Sequence, residues 1–224
     1  MPDALLPLFT QTGRLCHPVL FYDGRLVSFS KTGKVPAHVF GGPLPACHGV
    51  GAPEFHRLVF TINLPALDIS FGSKKIPSLL PLICNFDLNS LSTDYVVDSE
   101  RLNFRHPNCF FGRMQPQEDS ELPYPSYPHQ FPKTKFGIGI VHPIKFDTFQ
   151  KLCTAQGLHG TVDEPDISGH LFVVIPQCEA LGVSLWAEPG DPNSFLADDN
   201  LCVFDFDPKT RRVDASNQCT QKLH

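Results

Sequence analysis

Proline occupies 22 of the 224 positions, and no other feature narrows the possible folds as much. Each proline fixes φ and removes a main-chain donor, so it is excluded from helix interiors and from the middle of a sheet. Long helices are therefore ruled out, and strands joined by proline-containing loops are favoured. The 19 Phe, set against 2 Met and 1 Trp, point the same way, because aromatic rings with β-branched neighbours suit a pleated, half-buried surface.

An apolar fraction of 42% is too high for a disordered chain, and this length suits one globular domain or two tightly joined lobes. The net charge of −5 supplies no basic patch for a run of phosphates, which argues against nucleic acid as a partner. No window reaches the roughly 20 apolar residues of a membrane-spanning helix. The opening Met1-Pro2-Asp3-Ala4-Leu5-Leu6-Pro7 lacks the basic start of a secretory leader. A cytoplasmic protein without a membrane partner is the expectation. The 8 Cys include no C-x-x-C pair, so neither a zinc ribbon nor a thioredoxin-like redox pair is signalled. They read as buried free thiols.

Local patterns place the elements. Asp23-Gly24 lies between two apolar runs, which marks a hairpin because glycine supplies the positive φ of a tight turn. Residues 57–64 and 79–87 read as buried strands, with Pro81 confining the second to an edge or a late start. Residues 104–111 are a weaker strand candidate. Residues 136–141, 171–175, 182–186 and 201–206 read as further strands, the last turning through Asp207-Pro208 into a return strand. The clearest helix spans 147–157: Asp147 can cap it, Phe149, Leu152 and Cys153 share a face, and Gly157 suits its end.

The stretch 116–132 holds five prolines and no amphipathic period, and reads as a surface loop or linker. Within it, Pro123-Tyr124-Pro125-Ser126-Tyr127-Pro128 favours polyproline II and would present Tyr124 and Tyr127 to a partner with an aromatic groove. A second polar concentration lies at 159–170, where His159, Asp163, Asp166 and His170 supply nitrogen and oxygen donors of the kind that bind a divalent metal. It contains no H-E-x-x-H, and the bland reading is a solvated acidic loop. His38, Cys47, His48 and His56 match no closed zinc spacing. Cys153 sits on the helix's apolar stripe, which suits packing better than nucleophilic attack. The pairs Asp198-Asp199 and Asp205, Asp207 read as exposed acidic turns beside a strand.

Phe40-Gly41-Gly42-Pro43, the strand from Leu58 to Leu64 ending in Ile62-Asn63-Leu64, and the strand from Leu82 to Asp87 resemble the YwqG-like family of uncharacterised proteins. The family's usual second-half Gly-Asp-x-Gly turn is replaced here by Gly190-Asp191-Pro192, and Thr61 stands where Gln is common. The resemblance implies a fold of paired similar halves and no established activity.

Together these readings give an α+β domain, mostly antiparallel β-sheet, in two strand-rich lobes with few short helices. The lobes cover 1–115 and 133–224, on either side of the Pro/Tyr-rich loop 116–132. Non-catalytic binding or scaffolding is the first functional expectation, without a cofactor and with a protein partner met through Tyr124 and Tyr127. The alternative is a metal-assisted hydrolase built on His159, Asp163, Asp166 and His170.

Overall fold

Asp23 (φ 47°) and Gly24 (φ 72°) both lie in the left-handed region, so the chain reverses in two residues between β1 (Val19–Tyr22) and β2 (Arg25–Ser30). Positive φ at both central positions gives a turn whose twist matches that of the strands. The hairpin expected at this dipeptide is therefore present, and it forms the middle of a much larger sheet. The computed structural model describes residues 3–48, 55–69, 71, 76–87, 92–98, 102–104, 122–155, 169–186 and 201–218.

The remaining strands are β3 (Lys34–Phe40), β4 (Cys47–His48), β5 (His56–Asn63), β6 (Leu79–Asn85), β7 (Ser92–Val97) and β8 (Leu102–Phe104), followed by β9 (Thr134–Pro143), β10 (Leu171–Pro176), β11 (Leu201–Asp207) and β12 (Arg212–Gln218). They make one 12-stranded sheet in the order β4-β8-β7-β12-β11-β10-β1-β2-β9-β3-β5-β6. Among the described residues, only the short β4–β8 pair is parallel. The β-rich, antiparallel expectation is met, whereas the division into lobes over 1–115 and 133–224 is not followed. The two edges of the β1–β2 hairpin are filled by β10 and β9, so strands from both sides of the Pro/Tyr-rich stretch alternate within one sheet.

Two apolar clusters sit on opposite faces. The inner one runs under nearly all the strands and includes Phe29, Phe40, Phe60, Phe86, Phe131, Phe136 and Phe204 with no exposed surface. Burying each such ring contributes about 1.5–3 kcal/mol. The outer cluster is local: the 3-10 turn Asp3–Leu8 and α1 (Phe146–Ala155) cover β1, β2, β10 and β11. Strand β10 shows the consequence. Leu171, Val173 and Ile175 face the inner cluster while Phe172 and Val174 face the outer one, which is why this segment reads as an unbroken apolar run.

Helix α1 begins at Phe146, so Asp147 falls inside the first turn instead of capping it. There its carboxylate favours the positive end of the helix dipole. Phe149 stacks on Phe21 with centroids 4.8 Å apart, and Cys153 is buried as its stripe required. Gly157 lies outside the described residues. Among the described residues, no helix is long and apolar enough to cross a membrane.

The strand expected at 182–186 is absent. A 3-10 turn Glu179–Leu181 ends at Gly182 (φ 73°), and the side chain of Gln177 then takes the place of a partner strand. Its Nε2 donates to the Val183 carbonyl (3.1 Å) and its Oε1 accepts the Leu185 N–H (2.6 Å). Leu185 and Trp186 are thereby turned into the core. Of the weaker candidate at 104–111, the described part is Phe104, the last residue of β8.

The glycines Gly33 and Gly137 mark the tightest approach in the sheet. A Cβ on Gly137 would lie 2.2 Å from the Gly33 carbonyl oxygen. The Phe136-Gly137-Ile138-Gly139 run is thus strand β9 passing close to the β2–β3 connection.

Strand β6 ends the sheet order, as Pro81 requires. The sheet curls until β6 returns against β12 and β7. At this seam the buried hydroxyl of Tyr95 accepts the Ile83 N–H (2.8 Å) and donates to the Pro81 carbonyl (2.9 Å). One phenol therefore satisfies two edge groups that no strand pairs. Tyr95→Phe leaves both unsatisfied inside the protein and is expected to cost roughly 2–4 kcal/mol. Urea denaturation checks this; a loss below about 0.5 kcal/mol would show that the seam does not depend on the hydroxyl.

Candidate functional site

The expected binding residues of the Pro/Tyr-rich stretch are turned inward. Of that stretch, residues from Leu122 onward are described, and Tyr124 and Tyr127 are 7% and 5% exposed. Their rings meet edge to face at 5.0 Å, and the Tyr127 hydroxyl donates to the Leu185 carbonyl (2.9 Å). Phe131 stacks on Phe40 and its carbonyl accepts the Gly42 N–H (2.9 Å). Neither phenol is available as a ring on a stiff outer loop, and that expectation is corrected.

Arg57 is the physical reason. It is 2% exposed on β5, and its Nε donates to the Pro128 carbonyl while its Nη1 donates to the His56 carbonyl (2.9 Å). The guanidinium carbon lies 5.2 Å from the centroid of the Tyr127 ring, a distance at which the ring face attracts a cation. Burial lowers the Arg57 pKa, and Tyr127 opposes that shift. The arginine thus fastens the irregular 122–132 segment to the inner wall. His56, Asn85 and Thr93 are buried at the same end of the sheet: His56 pairs with Asn85 in register, and its Nε2 lies 3.5 Å from the Thr93 hydroxyl. Nothing in the local sequence singles these residues out, because adjacent polar residues on a strand ordinarily place one side chain in water.

Of the four expected metal ligands, His159, Asp163 and Asp166 lie outside the described residues. His170 is described and stands just before β10, on its outer face. Its ring stacks on Phe172 at 6.1 Å. Its Nδ1 is 2.9 Å from Asp205 Oδ1, and its Nε2 is 3.8 Å from Asp207 Oδ1. The carboxylates that read as a simple acidic turn therefore bracket an imidazole. Among the described residues, no group of three or more His, Cys, Asp or Glu side chains is placed to hold a metal ion.

The register extends this polar face across the sheet. Phe172 lies opposite Asp205, Asp205 opposite Asp214, and Asp214 opposite Asp94. Arg212 joins the row: its Nη2 is 2.6 Å from Asp214 Oδ1 and its Nε 3.3 Å from Asp94 Oδ2. The Asp205 carboxyl is pushed up by burial, against a lowering hydrogen bond from His170 and with Asp214 and Asp207 adding repulsion. Asp207 is also pushed up by partial burial. Hydrogen bonds from the Thr210 hydroxyl and the Lys209 N–H, with the charge of His170, outweigh that and hold it below the usual range.

Of the described thiols, Cys84, Cys153, Cys178 and Cys202 are spent on packing. Cys16, Cys47, Cys84, Cys153, Cys178 and Cys202 are all free. Burial pushes Cys153 up to about 12, and Cys47 and Cys178 up to about 11. Cys153 lines a small apolar cavity of about 20 Å³ with Leu8, Leu15, Val19 and Phe149. A thiol held in that state is not a nucleophile.

Because the folded-state pKa of Asp207 is lowered, its contribution to stability is complete above the ordinary value of 3.8 and is lost as the pH falls through the lowered one. Asp207→Ala is therefore expected to cost about 1 kcal/mol at pH 7, with the difference from wild type shrinking below about pH 4. Denaturation curves across pH test this, and a difference that stays constant to pH 2 would remove the carboxylate's charge from the explanation. Compared with known proteins, the chain matches no family model, no curated protein and no solved structure.

Proposed function

We propose that this is a non-catalytic binding or scaffolding protein that meets its partner through the charged outer face of β11, β12 and β7. The observation that carries the reading is the row Asp205, Asp214, Asp94, in register on three adjacent strands. Like charges directly opposite one another cost stability, and Arg212 and His170 are placed against that repulsion. A partner presenting basic groups would add to that compensation. The burial of Cys84, Cys153, Cys178 and Cys202 supports the same reading, since these thiols are used as filling. A cytoplasmic location belongs to this proposal as well, because free thiols suit a reducing compartment. Kinship with the YwqG-like proteins remains part of it on the strength of Gly41-Gly42-Pro43 and Ile62-Asn63-Leu64.

A second reading, metal-assisted hydrolysis, has one observation in its favour: Asp205 holds His170 at Nδ1 (2.9 Å), as a carboxylate orients an imidazole whose other nitrogen ligates a metal or takes a proton. Metal analysis of the purified protein separates the two. Stoichiometric metal that is lost on His170→Ala would favour the hydrolase.

Fluorescence anisotropy with a labelled octalysine peptide tests the first reading. Binding at low ionic strength that weakens with added salt is expected. The triple change Asp94→Asn, Asp205→Asn, Asp214→Asn is expected to lower affinity roughly ten-fold or more while the protein stays folded. Equal affinity in wild type and variant would overturn the assignment of this face.

A further inference from the structure

Among the buried titratable side chains that have no part in the charged outer face is His38 of β3. It has no exposed surface. Its ring lies against Phe29 of β2, with centroids 4.7 Å apart, and it stands opposite Phe136 of β9 in the strand register. The pairing of β3 with β5 covers Val39↔Thr61 and Phe40↔Phe60. Just beyond that pairing, His38 Nδ1 accepts the main-chain N–H of Asn63 at 3.2 Å. The imidazole thus stands in for a strand carbonyl at the end of the ladder. Asn63 passes the order on, because its Oδ1 accepts the Ala66 N–H (3.1 Å) of the 3-10 turn Pro65–Leu67.

This geometry fixes the protonation state. With Nδ1 accepting, the ring proton is on Nε2, and that nitrogen is buried without a partner. A second proton would put an N–H on Nδ1 facing the N–H of Asn63, donor against donor. It would also bring a full charge into a pocket walled by Phe29, Phe136 and the Asn63 main chain. The groups that β2, β9 and β5 turn toward the ring are these apolar or main-chain ones, and burial is the cause of the ring's shift, with no charged neighbour among the described residues contributing.

We infer that His38 is an acid-operated latch whose protonation releases the end of β3 from β5 together with the Pro65–Leu67 turn. The direction follows from linkage. Burial lowers the imidazole from 6.5 to about 4 in the closed state, while an opened state takes up a proton near the ordinary value. Closure is therefore at full strength above about pH 6.5 and weakens as the pH falls toward about 4. Over that window the opening equilibrium rises about ten-fold per pH unit, up to roughly 300-fold in total.

Two measurements on the full chain test the latch. Long-range proton–nitrogen spectra of the His38 ring are expected to show an unprotonated Nδ1 that does not titrate above about pH 5. A titration like that of a solvent-exposed histidine would overturn the proposal. Amide hydrogen exchange at Asn63, corrected for intrinsic rate, is expected to show the rise in opening below pH 6.5. In His38→Asn, whose side-chain oxygen can replace Nδ1 but cannot titrate, the rise is expected to vanish. The same slope in both proteins would overturn it. Should the variant not fold, the ring spectra and the wild-type slope still decide, since a flat wild-type profile also contradicts the latch.

Discussion

A sheet of twelve strands has two edges, and the closing of those edges governs everything else in this protein. Strand β6 is last in the order and carries Pro81, which lacks a donor, so it cannot receive another full strand on its free side. The Tyr95 hydroxyl takes that role at the seam, accepting from Ile83 and donating to Pro81. Once the seam is made, the inner face becomes an interior. The Phe side chains that would make an open ribbon prone to edge-to-edge association fill it instead.

The same enclosure dictates how polar groups inside must be used. A buried donor or acceptor needs a partner, and the interior supplies main-chain groups for the purpose. Arg57 holds the Pro128 and His56 carbonyls, Gln177 holds Val183 and Leu185, Tyr127 holds the Leu185 carbonyl, and His38 holds the Asn63 N–H. In each case a side chain replaces a missing strand or organises an irregular segment. The carboxylates of Asp205, Asp214 and Asp94 lie on the outer face, aligned by the antiparallel register of β11, β12 and β7.

The elements most legible in the sequence are those set by local chemistry. Asp23-Gly24 specified its hairpin through positive φ, Pro81 placed its strand at an edge, and the Phe149–Cys153 stripe identified the helix. What escaped depends on contacts far away along the chain. The Pro/Tyr-rich stretch reads as an outer loop until Arg57 is known to draw Pro128 and Tyr127 inward. Residues 182–186 read as a strand until the Gln177 side chain is seen to occupy their hydrogen-bonding groups. Of the candidate site, His170 was legible as a polar imidazole, but its pairing with Asp205 and Asp207 follows from the β10–β11 register alone. The Asp205–Asp214–Asp94 row could not be read at all without the strand order.

The central claim is that the sheet closes on itself and seals its interior. Cys84 on β6 and Cys202 on β11 report on it directly, being fully buried in the inner cluster. Pulsed alkylation in native buffer, read residue by residue by mass spectrometry, should modify both no faster than the whole protein unfolds, as followed by the fluorescence of Trp186. Modification of either thiol at the rate of an exposed cysteine, while that fluorescence still reports the folded state, would contradict the closed sheet.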